Sequence, residues 1–388
     1  MHTSVDEHAA LIRGLVTLPV RAETVTLDEA LGRRTFGAVT SPVDLPLFRN
    51  SQMDGFAVRA ADVPGTLPIV GEIAAAPGSP APLAPGTAVR IMTGAVVPDG
   101  ADAVVPVEDT TVDGSHVSIA RGRSVGEYVR ERGDDIIAGT VLLHAGTVLA
   151  SRHLAALAAA GIDRVEVRLR PRVVVITTGA ELVGLGDIPG PGQIHDANAV
   201  ALVAAVRACG ATVAAYRVRD DTAALRDILT AASADADLIV TSGGISMGDY
   251  EVVRELLEPL GGVIGHIAMQ PGGPQATAVF AGVPVLSFPG NPVSTQISFE
   301  VFLAPILREA AGLPAAERAR HTLAADVRSV PGKRQFLRGR LREGGIVEVV
   351  AGPGSHLVAG LAASDVLIDV PEEITELAAG DEVETWKL

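Results

Sequence analysis

The chain has 388 residues, 48% of them hydrophobic and 20% charged, enough for several hydrophobic cores and two to four domains. Its formal net charge of −15 argues against general nucleic-acid binding and against attraction to an anionic membrane surface. Cys209 is the single cysteine, which excludes an intramolecular disulfide framework and a cysteine-based zinc site. No uncharged apolar run reaches membrane-spanning length and no basic-then-apolar leader opens the chain, so the expectation is a soluble cytoplasmic protein.

Taken in order, the chain opens with two capping-box signals, Ser4-x-x-Glu7 and Thr26-x-x-Glu29, each predicting a short helix. Pro42 and Pro46 break regularity, and FRNSQMDGFAV follows from Phe48 to Val58. Residues 62 to 124 are rich in Pro, Gly, Val and Thr and predict a small all-β module without a helix. Met53-Asp54-Gly55 and Met92-Thr93-Gly94 read, on spacing alone, as turns. Arg130-Glu-Arg-Gly-Asp-Asp135 closes the module, and Ser151 is the expected cap of an alanine-rich helix that Gly161 ends.

From Arg172 to about Gly312 the texture changes. RVVVITTG, the helical stretch Ala197 to Cys209 stopped by Gly210, TVAAYRVRDD, the helix Thr222 to Ser233, DLIVTSGGISMGDYE, PVLSFPGNPVS and a helix from Thr295 alternate as strands and helices. That alternation predicts a parallel α/β sheet. After Leu313-Pro314 the chain is turn-rich and β-like to Leu388, which predicts a small terminal β domain.

Asp237 to Glu251 is the organising stretch. Leu238, Ile239 and Val240 form a buried-strand run that enters Ser242-Gly243-Gly244, where missing side chains let a ligand approach the backbone. Asp249 stands at the expected N-cap of a helix carrying Val252, Val253, Leu256, Leu257 and Leu260. Polar groups also follow the other strands: Glu181 after Thr177-Thr178-Gly179, and Asp220 and Asp221 after Val218. In a parallel sheet these ends share one edge, so the carboxylates converge on one crevice. Oxygen ligands without Cys or His suit Mg²⁺, which completes its shell with substrate phosphates and water. The plainer reading of Asp221 and Asp249 is as N-caps, and of Glu181 as a solvated loop residue.

Pro289-Gly290-Asn291-Pro292-Val-Ser294 joins a strand to a helix. Pro292 presets the first turn, leaving free amides as an anion site; a tight turn without a ligand reads equally well. GxxxxGK[ST] is absent and the α/β segment has no lysine, which excludes a P-loop NTPase.

In this order, NSQMDGFAV, RIMTGAVVPDGADAVV, RERGDDI, TTGAEL, GQIHDAN, DLIVTSGGISMGDYE, MQPGGP and FPGNPVS resemble the molybdopterin molybdenumtransferase family, the MoeA proteins and the related gephyrin E domain. The resemblance spans essentially the whole chain. It implies a multidomain α/β protein: a central parallel α/β molybdopterin-binding domain (171–312), a β-rich inserted module (42–124), a discontinuous mixed α/β dimerisation domain (1–41 and 125–170) and a C-terminal barrel-like β domain (313–388). It further implies a homodimer whose cleft lies between the α/β domain of one chain and the β-rich parts of its partner. Molybdate would be inserted into adenylylated molybdopterin with release of AMP and a requirement for Mg²⁺. Other molybdenum-cofactor biosynthesis proteins are implied as partners; nucleic acid and membrane are not. By resemblance Asp54, Thr93, Asp135, Glu181, Asp220 and Glu251 are catalytic, the last three also holding the metal. Thr178, Gly179, Ser242, Gly243, Gly244, Ser246, Asp249, Pro289, Gly290, Asn291, Pro292 and Ser355 bind the substrate.

The chain departs from the family at its KPGKP segment, where His266, Gln270 and Gly273 replace lysines, so point charges that hold an anion are lost. Arg49, Arg90, Arg130 or Arg132 are the candidates to compensate. The alternatives are a non-catalytic or divergent paralogue binding molybdopterin or a protein partner, and a nucleotide hydrolase resembling the competence-damage-inducible family. The latter leaves MDGFAV, RIMTGA and the terminal domain unexplained.

Overall fold

The computed structural model describes residues 3–245 and 252–388. These fall into two compact units, Ala22–Val167 and the pair Met1–Arg21 with Arg168–Leu388. In the second, helix α1 (Val5–Leu15) starts as its sequence predicts: Glu7 accepts from the Ser4 backbone N–H at 2.8 Å while the Glu7 N–H reaches Ser4 Oγ at 3.2 Å. His8 on this helix is 6% exposed and meets Phe302 edge-on, ring centroids 4.8 Å apart. Burial lowers its pKa to about 4, and Nε2 has no partner among the described residues. The folded value lies below the ordinary 6.5, so as pH falls the unfolded chain takes up the proton first. Stability is therefore expected to be untouched by His8 above pH ~6.5 and to fall by up to ~3 kcal/mol between there and pH ~4. Urea unfolding of His8→Phe across this range is expected to lack that slope; an unchanged slope contradicts the assignment.

The unit Ala22–Val167 is built on a six-stranded sheet: β1 (Gly55–Val58), β2 (Gly65–Ile73), β3 (Ala88–Ile91), β4 (Ala103–Pro106), β5 (Thr110–Asp113) and β6 (His116–Ile119), in the order β4-β1-β3-β2-β6-β5. Alternating residues feed two cores, Phe56, Val58 and Val105 on one side and Ala57, Ile91 and Val104 on the other. Gly55 is not the turn expected of it. It sits in β1 between two neighbours, and a Cβ there would lie 2.0 Å from the Val105 carbonyl oxygen. Gly55→Ala is expected to cost about 3 kcal/mol or more through that overlap, read as lost hydrogen-exchange protection over residues 55–58. Retained protection would overturn the packing argument. Ser151 is also not a cap: helix α2 (Ser151–Ala159) is capped at Ala150, whose N–H donates to His153 Nδ1 at 3.0 Å.

Beyond Arg168 the α/β alternation holds: β7 (Arg172–Thr178), α3 (Ala197–Ala208), β8 (Thr212–Val218), α4 (Thr222–Ser233), β9 (Leu238–Ser242), α5 (Val252–Leu257), β10 (Val263–His266), β11 (Pro274–Phe280), β12 (Val283–Phe288), α6 (Pro292–Ser298) and α7 (Ala304–Ala311). The sheet order is β8-β7-β9-β12-β11-β10. The first four strands are parallel, as expected; β11 runs antiparallel to β12 because a short turn at Ala281-Gly282, both at positive φ, joins them directly, and β10 pairs antiparallel with β11. β7, β9 and β12 are buried along nearly their whole length, which is why they read as continuous apolar runs. α6 begins at Pro292, three residues earlier than Thr295, because proline fits the first helical position where no N–H is needed.

The C-terminal strands β13 (Arg318–Leu323), β14 (Arg334–Arg342), β15 (Ile346–Val349), β16 (Val366–Val370) and β17 (Glu382–Lys387) run β14-β15-β13-β17-β16, and β16 pairs back on β14. That closes a barrel around Leu337, Val347, Ile368 and Val383, with a short helix α8 (Val358–Ala362) between β15 and β16.

Candidate active site

The chain leaves β7 for β8 on one side and later places β9 on the other, so the order of strands reverses between β7 and β9. At such a point the two following loops diverge and leave a crevice at the carboxyl ends. Those ends are level: Thr178 is in register with Val218, Thr177 with Ser242, and Ser242 with Phe288. The loops after them line one cavity of about 820 Å³. It holds Thr178, Gly179, Glu181, Asp220, Ser242, Gly243, Gly244, Pro289, Gly290, Asn291, Pro292 and Ser355 together, a convergence the sequence pattern anticipates. Ser246, Asp249 and Glu251 lie outside the described residues.

A hydrogen-bonded lattice fixes these loops. Asp196 caps α3, accepting from the Ala199 N–H at 3.0 Å, and accepts Thr177 Oγ1 at 2.5 Å. α3 then aims Asn198, whose Nδ2 donates to Ser242 Oγ at 2.9 Å and to the Gly290 carbonyl at 2.7 Å. Thr295 Oγ1 donates to the Pro289 carbonyl at 2.5 Å. Three strand ends are thus held by side chains that are themselves buried. Thr178 Oγ1 and Asn198 Oδ1 are buried and without a partner among the described residues, two polar atoms at the cavity wall still able to bond.

Glycine is required at the turn. Gly243 has φ +93° and a Cβ would lie 2.7 Å from the Thr178 carbonyl oxygen; Gly244 has φ +68°. Gly290 faces Gly243 backbone to backbone, a Cβ there meeting the Gly243 Cα at 3.4 Å. Gly179 lets the exposed Glu181 carboxylate fold back across the loop, since a Cβ at 179 would sit 2.6 Å from Glu181 Oε2. Asp220, also exposed, accepts from the Ala180 N–H at 3.1 Å. Asp221 does cap α4, accepting from the Ala223 and Ala224 N–H groups. The amide of Val293 is not free for an anion, because it donates to the Ser355 carbonyl at 3.2 Å.

Sequence reasoning passed over Asp196 and Asn198 as site residues, although GQIHDAN was in view, and it passed over Lys333 and His356. Lys333 is one of two lysines in the chain and the only Lys or Arg among the described residues lining the cavity. It comes from the turn before β14, where no motif marks it. His266 lines the same cavity and occupies the space a residue-273 side chain would need, its Nε2 lying 2.7 Å from a Cβ built on Gly273.

Asp54, Thr93 and Asp135 belong to the Ala22–Val167 unit. Thr93 donates both its N–H and its hydroxyl to Asp54 Oδ1, each at 2.7 Å, and this pair of bonds, the backbone one foremost, holds the Asp54 carboxyl below its ordinary range. Of the arginines considered as replacements for the lost lysines, Arg49 pairs with Glu131 at 2.9 Å and Arg132 with Asp44 at 2.6 Å. Cys209 is 3% exposed and burial pushes its thiol up to about 11, so it is an inert core residue.

Three family models match in order: the MoeA N-terminal region (domain I and II) over residues 3–161, a probable molybdopterin binding domain over 174–309, and the MoeA C-terminal region (domain IV) over 320–388. The chain is 42% identical to "Molybdopterin molybdenumtransferase 2" of Mycobacterium tuberculosis, covering 99% of both chains. It is 37% identical to "Molybdopterin molybdenumtransferase" of Nostoc, covering 93% of this chain and 87% of that one. Among solved structures, the MoeA molybdopterin biosynthesis protein of Pyrococcus horikoshii superposes with a TM-score of 0.85 at 32% identity, covering 100% of this chain and 99% of that one. With its three segments matched in sequence and its fold shared from end to end, this chain belongs to the MoeA family, the molybdopterin molybdenumtransferases.

Proposed function

We propose that this transferase inserts molybdate into adenylylated molybdopterin, releasing AMP and forming the molybdenum cofactor, and that Mg²⁺ is required. The observation that carries the reading is the cavity at the strand reversal, which among the described residues joins glycine-faced loops, the exposed carboxylates of Glu181 and Asp220, and Lys333. A flat pterin and a pyrophosphate need close backbone approach, which Gly243, Gly244 and Gly290 allow. Asn198, Ser242 and Thr295 keep those loops from moving as the substrate binds. Lys333 balances the negative charge of the substrate.

Glu181 and Asp220 are the described residues that would hold Mg²⁺; Glu251 completes the proposed set. Their fit rests on donor chemistry: hard carboxylate oxygens at a cavity edge. That suits an ion which keeps water and takes substrate phosphate oxygens. When bound, the ion neutralises charge on the pyrophosphate. The dithiolene sulfurs that receive molybdenum belong to the substrate, so the buried Cys209 has no part.

Asp54, Thr93 and Asp135 remain proposed catalytic residues, and Ser246 and Asp249 proposed substrate contacts. The division into residues 1–41 with 125–170, 42–124, 171–312 and 313–388, the homodimer, contacts with other molybdenum-cofactor biosynthesis proteins and a cytoplasmic location belong to the same proposal. No helix among the described residues is long and apolar enough to cross a membrane. A scaffold that binds without reaction is disfavoured, since it has no use for converging Glu181 and Asp220. Native mass spectrometry with adenylylated molybdopterin tests the proposal. A dimer carrying one substrate per subunit is expected, which once molybdate and Mg²⁺ are added loses the adenylyl group as AMP and gains the mass of one inserted molybdenum oxide per subunit. A complex that keeps AMP under those conditions would establish the binding-only paralogue instead.

A further inference from the structure

A second cavity, of about 280 Å³, lies in the same unit as the first. Leu202 and Ala205 of α3, Ile297 of α6, and Leu361 and Ala362 of α8 give it apolar walls, and among the described residues Glu300 is the one ionisable side chain that lines it. Glu300 stands in the wider π-helical turn Phe299–Leu303 between α6 and α7, which comes just ahead of Pro305, a residue with no N–H to give. Among the described residues its carboxyl has neither a hydrogen bond nor an ion pair; burial raises its pKa, and Arg308 opposes this only at longer range, its Nε being given to the Pro314 carbonyl at 2.8 Å. The nearby Cys209 thiol is raised by burial first and then by Glu300. Glu300 is half-buried, so its carboxylate keeps part of its water, and a cation delivered by a ligand would offset the desolvation that the apolar wall imposes.

We propose that this cavity binds a small apolar molecule carrying one protonated amine, with the amine on Glu300 and the apolar body against Leu202, Ile297 and Leu361. The charge of the wall selects the head group, and the volume of about 280 Å³ admits a body of one to two aromatic rings. The site is wired to the larger cavity through its own walls. α3 carries Asn198 at one end and Ala205 further along; α6 starts at Pro292 in the large cavity and reaches Ile297 in the small one. Ser355 precedes α8 and accepts the Val293 N–H. A ligand wedged here stiffens the segments that position Asn198, Gly290 and Ser355.

The probes are benzylamine and benzyl alcohol, titrated into the intact protein by calorimetry and followed by hydrogen exchange. Benzylamine is expected to bind saturably, near ~1 mM for a ligand of that size. Benzyl alcohol should bind at least roughly tenfold more weakly, and Glu300→Gln should remove the difference between the two. Amide protection is expected to rise over residues 198–205, 290–300 and 355–362. Equal binding of amine and alcohol to the unaltered protein overturns the proposal without recourse to any variant. So does benzylamine binding that survives Glu300→Gln unchanged, or protection that rises only elsewhere.

Discussion

Alanine at Glu181 or Asp220 is expected to cut molybdate-stimulated AMP release by roughly 100-fold, about 3 kcal/mol of transition-state stabilisation. Both carboxylates are exposed at the cavity edge, and neither is consumed by an ion pair among the described residues. Asp220 gives only one oxygen to the Ala180 N–H. Added Mg²⁺ should partly restore either single variant and should not restore the double, because two ligands share one ion. Asp221 is the internal control. Its carboxylate is taken up by the Ala223 and Ala224 N–H groups at the start of α4, so Asp221→Ala is expected to lower stability by about 1 kcal/mol while leaving the rate within a few-fold. A large rate loss at 221 with little at 220 would mean that the two acids had been assigned the wrong way round, and equal losses would remove Asp221 as a purely structural cap.

Lys333→Met should act on binding. It keeps the length of the side chain and removes the one lysine of the cavity, among described lining residues that include Glu181, Asp196 and Asp220. A hydrogen bond to a charged group contributes roughly 1.5–3 kcal/mol, so KM for adenylylated molybdopterin should rise about 10- to 100-fold, with kcat changed much less. Lys333→Arg should recover most of the loss, and added salt should weaken the wild-type protein more than the Met variant. A KM unmoved by Lys333→Met would return the compensating charge to the arginines of the Ala22–Val167 unit, although Arg49 and Arg132 there already face Glu131 and Asp44.

What the sequence discloses follows from how local the signal is. The apolar runs at Val173, Ile239 and Val285 announce strands covered on both faces, and Ser242-Gly243-Gly244 announces a turn that needs positive φ; both are properties of neighbouring residues. Asp221 and the Ser4–Glu7 box are equally local. The failures involve distant partners. Gly55 reads as a turn until the Val105 backbone is seen against it. Ser151 reads as a cap until His153 is seen doing that work from two residues on. The antiparallel return of β11 hinges on a two-residue turn that composition does not mark. Lys333 lies in a turn of the barrel, and only the closure of the α/β sheet against that turn brings it to the cavity.

The most direct test of the central claim is a single-turnover reaction of the purified protein with adenylylated molybdopterin and Mg²⁺, with and without molybdate, following AMP and active cofactor in the same sample. The account predicts that molybdate accelerates AMP release and that each AMP released is matched by one cofactor formed, with both falling together in Glu181→Ala and Asp220→Ala. AMP released at the same rate without molybdate, or released with no cofactor appearing, would contradict it.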